Sequence, residues 1–452
     1  MTFKTIFSGK TIIASALLFL AAKGNAQQWE NVGTSSTVSA AGASWLNLLT
    51  TGSGNYYLSY YDTSVAKGSV QQFDGQSWSY VGGSPGVTAT TALYGCMAMD
   101  NAGSIYYSNQ AGAAGMEVRK FSNGAWSMLP NAAASQINYQ ALAVSSSGDL
   151  FAHHSLSSGT VKRYKNGAWE QVGNTGFAGG STYVKMAVGS DNFIYVAQIA
   201  SGLKVYKISV NAGSTDSWTL VGGVNAATAY SSDNSFIDLA LDSNNIPFVS
   251  YVSASGDGRK LNVKKFDGTN WIQVGAANFS DSVVNNTSIA LAGDGTVYAA
   301  ASIWDSQNAN HSKNQVYALN PGASAWNKIG GTVISEGAAT FNELAVDSNN
   351  KVVFAYVDNG VKVKRFTSSS LLSVQDAEKS DVAIYPNPAA DYIYVKGKAK
   401  IAFAELYSTV GQKINTVFDS EKITVSHLNT GNYILKLKFE DGSEHMQKIL
   451  KK

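Results

Sequence analysis

The chain of 452 residues has a single cysteine, Cys96, so no internal disulfide can staple it. Its place in a repeating strand pattern suits a buried small apolar residue. Charge is also scarce, at 14% Asp, Glu, Lys and Arg against about 25% in ordinary soluble domains. With a formal net charge of +2 and no long basic run, the electrostatic footprint of a nucleic-acid binder is missing. The five histidines, His153, His154, His311, His427 and His445, lack metal-ligand spacing with Cys, Asp or Glu. No spaced acidic loop of the calcium-binding kind occurs either, and Asp/Asn pairs such as Asp100-Asn101 read as turns. Neither metal nor cofactor is therefore expected. A nucleophile elbow, a phosphate loop and a Ser-His-Asp set are absent, so no catalytic residue is assigned. Glu336 and Glu343 are the nearest carboxylate pair for acid-base work, though surface or strand-edge roles suit them better. Beyond the first 26 residues no apolar run approaches the length of a membrane span.

Gly, Ser, Asn, Thr and Tyr take the place of the missing charge, and with them comes a repeat. Trp29, Trp78, Trp126, Trp169, Trp218, Trp271 and Trp326 recur at intervals of roughly 43 to 55 residues. Each sits in one local pattern, clearest in Val-Lys-Lys-Phe-Asp-Gly-Thr-Asn-Trp-Ile-Gln-Val-Gly (Val263 to Gly275). A unit holds four short runs of two-residue alternation. Strand A has the form Leu-Ala-Val-Asp, as in Leu344 to Asp347, and strand B follows an Asp/Ser/Asn/Gly turn. Strand C carries Val-Lys-Lys-Phe, and an Asp-Gly or Asn-Gly turn leads into the Trp strand D. Periods of this length with four strands predict an all-β, seven-bladed β-propeller. Alanines at mid-strand A (Ala98, Ala143, Ala187, Ala240, Ala290, Ala345) fit the crowding near the axis. The seventh unit ends at Phe366 without a Trp strand, while a spare one, Gln28 to Gly33, opens the repeat. That strand is expected to close blade 7 and to leave no free sheet edge.

The turns after strands A and C are tight and share one face. The D-to-A and B-to-C connections are long (Gly82 to Leu93, Asn174 to Thr182, Gly222 to Ser235, Ser302 to Lys313) and share the other, where a rigid scaffold binds. Two columns are expected at the channel mouth on that face. Three residues before the apolar start of strand A stand Trp45, Tyr94, Tyr139, Tyr183, Phe236 and Phe341, with Asn286 in blade 6. At the top of strand B stand Tyr60, Asn109, His154, Gln198, Tyr251 and Tyr356, with Ala301 in blade 6. Rings beside amides and hydroxyls suit sugars, which stack on one and hydrogen-bond to the other. Packing between blades explains the same columns without a ligand.

The two ends supply an address. Lys4 and Lys10 precede an apolar run from Thr11 to Ala22, and Gly24-Asn25-Ala26 is a small-residue cleavage site, so residues 1–26 read as a signal peptide. The propeller then covers 27–366, a polar linker 367–380, and a module of short strands 381–452 that reads as a small C-terminal β-sandwich. This module contains Ile384-Tyr-Pro-Asn-Pro388, Glu405-Leu-Tyr-Ser-Thr-Val-Gly411, Leu428-Asn-Thr-Gly431-Asn-Tyr433 and a terminal Lys448-Ile-Leu-Lys-Lys452. In that order they resemble the type A C-terminal sorting domain of the type IX secretion system. The resemblance implies a Bacteroidota-type Gram-negative source and passage through the periplasm. It also implies contact with the secretion machinery, removal of the sorting domain, and a product released or held at the outer cell surface.

The propeller resembles bacterial surface propellers, and in architecture alone those of the kelch, NHL and sialidase-like kinds. A sialidase needs a central arginine cluster. Of the four arginines here, Arg119, Arg163 and Arg365 fall on strand C, away from the axis, and Arg259 is the fourth. The expected function is that of a secreted or cell-surface recognition protein, monomeric and without a transmembrane segment, whose propeller binds an extracellular ligand such as a glycan. A secreted polysaccharide-degrading enzyme and a protein-binding adhesion or gliding-surface component are the alternatives.

Overall fold

The computed structural model describes residues 28–367 and 382–452, apart from 53, 181–182, 232–236, 397–399, 409–412, 415, 420 and 441–443. The expected signal peptide and nearly all of the expected linker lie outside the described residues. The chain divides into two compact units, one ending at Ser369 and one running from Ser370 to Lys452.

The first unit is seven four-stranded antiparallel sheets. The C–D hairpins follow the turn chemistry visible in the sequence in blades such as 5 and 1. In blade 5, Phe266 stands opposite Trp271 across the C–D turn, their ring centroids 5.6 Å apart. Asp267 closes that turn with one carboxylate oxygen, which accepts the backbone N–H groups of Thr269 at 2.9 Å and Asn270 at 2.7 Å. Blade 1 repeats the device with Phe73, Trp78 and Asp74.

Blades are joined by the Trp-Val-Gly part of the repeat. Trp126 Nε1 donates to the Val81 carbonyl of the preceding blade at 2.8 Å, Trp271 to Val221 at 3.0 Å and Trp326 to Val274 at 3.0 Å. The glycine after each acceptor lies under the indole with positive φ. A Cβ at Gly275 (φ +65°) would stand 2.7 Å from Trp326 Nε1. The motif is thus a latch between neighbours: the ring needs the space that only glycine leaves, and the turn needs glycine's backbone freedom.

The same latch closes the ring. Gln28–Asn31 pairs antiparallel with strand C of blade 7, Trp29 opposite Phe366. Trp29 Nε1 then donates to Ile329 O of blade 6 at 3.2 Å, and Trp78 of blade 1 donates to Val32 O at 2.9 Å. Apolar burial follows the same plan, because the core is divided among the blade interfaces. Leu48, Tyr56 and Leu58 of blade 1 are buried against Val353, Ala355 and Val363 of blade 7. Tyr195 and Val205 of blade 4 meet Val249 and Tyr251 of blade 5.

The second unit has two four-stranded antiparallel sheets. Tyr392–Lys396 is central to one and Gly431–Phe439 to the other. Ile393, Val395 and Ile423 from the first sheet share one buried cluster with Leu406, Leu435 and Ile449 from the second, as the alternation of the module predicts.

Candidate functional site

Strand A of each blade borders the axis, and its first residues shape the mouth of the channel. In blades 1, 2, 6 and 7 the A–B ladder slips at that point, between Ser44 and Asn47, Leu93 and Cys96, Asn285 and Ser288, and Thr340 and Glu343. Within each slip one non-glycine residue adopts a left-handed backbone: Trp45 (φ 50°), Tyr94 (φ 52°), Asn286 (φ 49°) and Phe341 (φ 49°). A β-bulge re-aims a side chain at a cost in local strain, and bulky aromatics are poor residues for this conformation. Its recurrence at equivalent positions makes the bulge part of the design of the mouth.

The aromatics form a continuous arc. Ring centroids are 6.0 Å apart for Phe341–Trp45, 5.3 Å for Trp45–Tyr94, 5.6 Å for Tyr94–Tyr139 and 5.2 Å for Tyr139–Tyr183. Phe236, expected as the next member, lies outside the described residues. The arc borders a cavity of about 440 Å³ that runs down the channel. Amide side chains fasten the bulges from neighbouring blades. Asn47 Nδ2 donates to Gly95 O at 2.8 Å, Gln140 Nε2 to Tyr94 O at 2.6 Å and Asn342 Nδ2 to Asn286 O at 2.6 Å.

The second expected column is elsewhere. Tyr60, Asn109, His154, Gln198, Tyr251 and Tyr356 stand on strand B, one strand out from the axis, and none is more than 5% exposed. Tyr60 Oη accepts a hydrogen bond from Gln71 Nε2 at 2.6 Å, and Gln198 Nε2 donates to Ala178 O at 2.9 Å. These side chains fill the blades and do not line the cavity. Alternation along a strand fixes the face a residue takes but not its distance from the axis.

A different column lies below the arc. Two residues after each mouth position, and opposite equivalent residues of strand B, come Asn47, Cys96, Ala141, Lys185, Asp238, Ser288 and Glu343. Lys185 Nζ of blade 4 reaches Glu343 Oε1 of blade 7 at 3.1 Å and Asp238 Oδ1 of blade 5 at 3.3 Å. Blades 4 and 7 are not neighbours, so this ion pair crosses the channel. Asp238 Oδ2 also accepts the Ile289 N–H of blade 6 at 3.0 Å. Glu336, by contrast, is exposed, so the two carboxylates considered together in the sequence are separated. Glu343 stands on strand A, the edge of its blade nearest the axis, where it lines the cavity.

Burial alone would lower the Lys185 pKa, but Asp238 and Glu343 outweigh it and hold the ammonium charged. Burial pushes the Glu343 carboxyl well above the usual carboxylate range, Lys185 pulls it back, and Asp238 raises it again. Cys96 also lines the cavity; burial pushes its thiol up to about 12 even with Lys185 near, so it stays protonated. Among the described residues no group of three His, Cys, Asp or Glu side chains is placed to hold a metal ion.

Residues 383–452 match the family of secretion system C-terminal sorting domains. The chain therefore carries the type IX export signal that leads to secretion or the outer cell surface. A search of curated proteins gave no match. Among solved structures, the chain is similar to a fungal alcohol oxidase of the AA5 family in complex with copper. That pair has 12% identity and a TM-score of 0.50, covering 94% of this chain and 99% of the other. It is also similar to the extracellular domain of a hybrid two-component system from B. thetaiotaomicron. There identity is 13% and the TM-score 0.50, over 93% of this chain and 58% of the other. At these identities the likeness is one of fold.

Proposed function

We propose that the propeller is an exported recognition module that binds a glycan at the mouth of its central channel. The observation that carries this reading is the arc of five rings around a cavity open to sugar-sized ligands. Rings offer stacking faces, and the long D-to-A and B-to-C loops frame the same end. The strained bulges in four blades support it, because they hold Trp45, Tyr94 and Phe341 on the cavity wall at a local cost in backbone strain.

The test is a glycan array probed with the full chain, beside the variant Tyr94→Ala/Tyr139→Ala/Tyr183→Ala, its fold checked by circular dichroism. Binding by the wild type that falls about tenfold or more per ring removed is expected. Binding unchanged in the folded variant would move the site away from the arc.

One observation favours a second reading, a polysaccharide-degrading enzyme. Glu343, raised toward the protonated state beneath the rings, is suited to act as a general acid. Release of new chain ends from a bound glycan, abolished by Glu343→Gln, would establish it.

A further inference from the structure

We propose that the glycan held at the mouth carries a protonated amine, making an amino sugar the class of ligand. The inference rests on the glycan reading above and adds the charge of the ligand. Lys185, Asp238 and Glu343 are the only charged side chains lining the cavity among the described residues. Two carboxylates against one ammonium leave the floor with a formal charge of −1. The ammonium is already engaged by both carboxylates, at 3.1 and 3.3 Å. An anionic sugar would have to displace Glu343 from Lys185 and leave a carboxylate unpaired, which is costly. A cation adds to the pair without breaking it.

The rings above the floor point the same way. Five of them border the cavity, and an aromatic ring attracts a cation within about 6 Å of its centre. Rings over a net negative floor accommodate an ammonium better than a neutral hydroxyl or an acid.

The test varies one group of the ligand. The full chain is titrated calorimetrically with four β-1,4-linked oligosaccharides of equal length, made of glucosamine, N-acetylglucosamine, glucose or glucuronate, and with oligolysine. The glucosamine oligomer is expected to bind at least about tenfold more tightly than the acetylated and neutral ones at a pH where its amine is charged. In Glu343→Gln that preference should shrink toward unity. Should this variant fail to fold, the ligand comparison decides on the wild type alone. Equal affinity for glucosamine and glucose oligomers, or tightest binding of glucuronate, overturns the amine while the arc remains a glycan site. Binding of oligolysine without any oligosaccharide, or no binding at all, overturns the glycan reading and the amine together.

Discussion

His153 and His154 are adjacent on one strand, and neither has a hydrogen-bond partner in the protein for either ring nitrogen. Burial pushes His153 down to about 3, helped by His154, and pushes His154 down to about 4, helped by Lys162. Both are neutral in the folded state, whereas the unfolded chain protonates them near 6.5. A group with a depressed folded pKa of this kind lets the unfolded state bind more protons at intermediate pH. Stability is therefore full above about 6.5 and falls as pH drops toward the folded values. At pH 4.5 each histidine is expected to cost up to about 2.7 kcal/mol relative to neutral pH. Blade 4 has Gln198 where blade 3 has His154, so His154→Gln fits the architecture. Denaturant unfolding from pH 7.5 to 4.5 should show a shallower acid loss in that variant, and parallel curves would refute the assignment.

The same scale shows what repeats reveal and what they hide. The aromatic column was legible because a ring recurs at one position in blade after blade. The column two residues on was not, because Asn47, Cys96, Ala141, Lys185, Asp238, Ser288 and Glu343 share no chemistry. Repeat reading finds sameness, while the lining of a channel shared by seven blades takes its character from their differences. Lys185, Asp238 and Glu343 are the only charged members of that column, and that contrast was the available signal. The Tyr60 column was misplaced because its radial position depends on packing that no local pattern records.

At the scale of the element, the Trp-Val-Gly segment joins hairpin chemistry to ring assembly. Its glycine meets two demands that a change to alanine separates. Gly275→Ala adds a Cβ 2.7 Å from Trp326 Nε1 and also places alanine at φ +65°. Gly322, in the next blade at φ +79°, has open space around its absent Cβ. Gly322→Ala is expected to cost about 1 kcal/mol, the backbone penalty alone. Gly275→Ala should cost about 2–4 kcal/mol, because the latch must also shift. Thermal unfolding of the two variants side by side measures the difference. Equal losses would mean that the indole yields freely and that the latch is soft. This element was legible as a pattern, but its role was not. Val and Gly close one blade while Trp belongs to the next, and sequence proximity conceals which contacts cross the boundary.

For the whole molecule the decisive contact joins the two ends of the ring. Gln28 to Asn31 supplies the fourth strand of blade 7, and its partners Lys364 to Thr367 lie more than 300 residues away. This strand also forms two latches, Trp29 onto blade 6 and Val32 under Trp78 of blade 1. Its geometry is that of any strand D, so blade 7 has no structural need for the chain to enter there. A permuted chain that begins near residue 34 and carries residues 27–33 after Thr367, through an Asp-Gly turn, would give blade 7 the connectivity of the other six. It should fold to the same ring and keep the melting temperature and ligand affinity of the parent within error. Deleting residues 27–33 without replacement should instead expose the edge of strand C and remove both latches, lowering the melting temperature and promoting association through that edge. A permuted chain as unstable as the deletion would show that covalent entry at blade 7, rather than the strand itself, holds the ring closed.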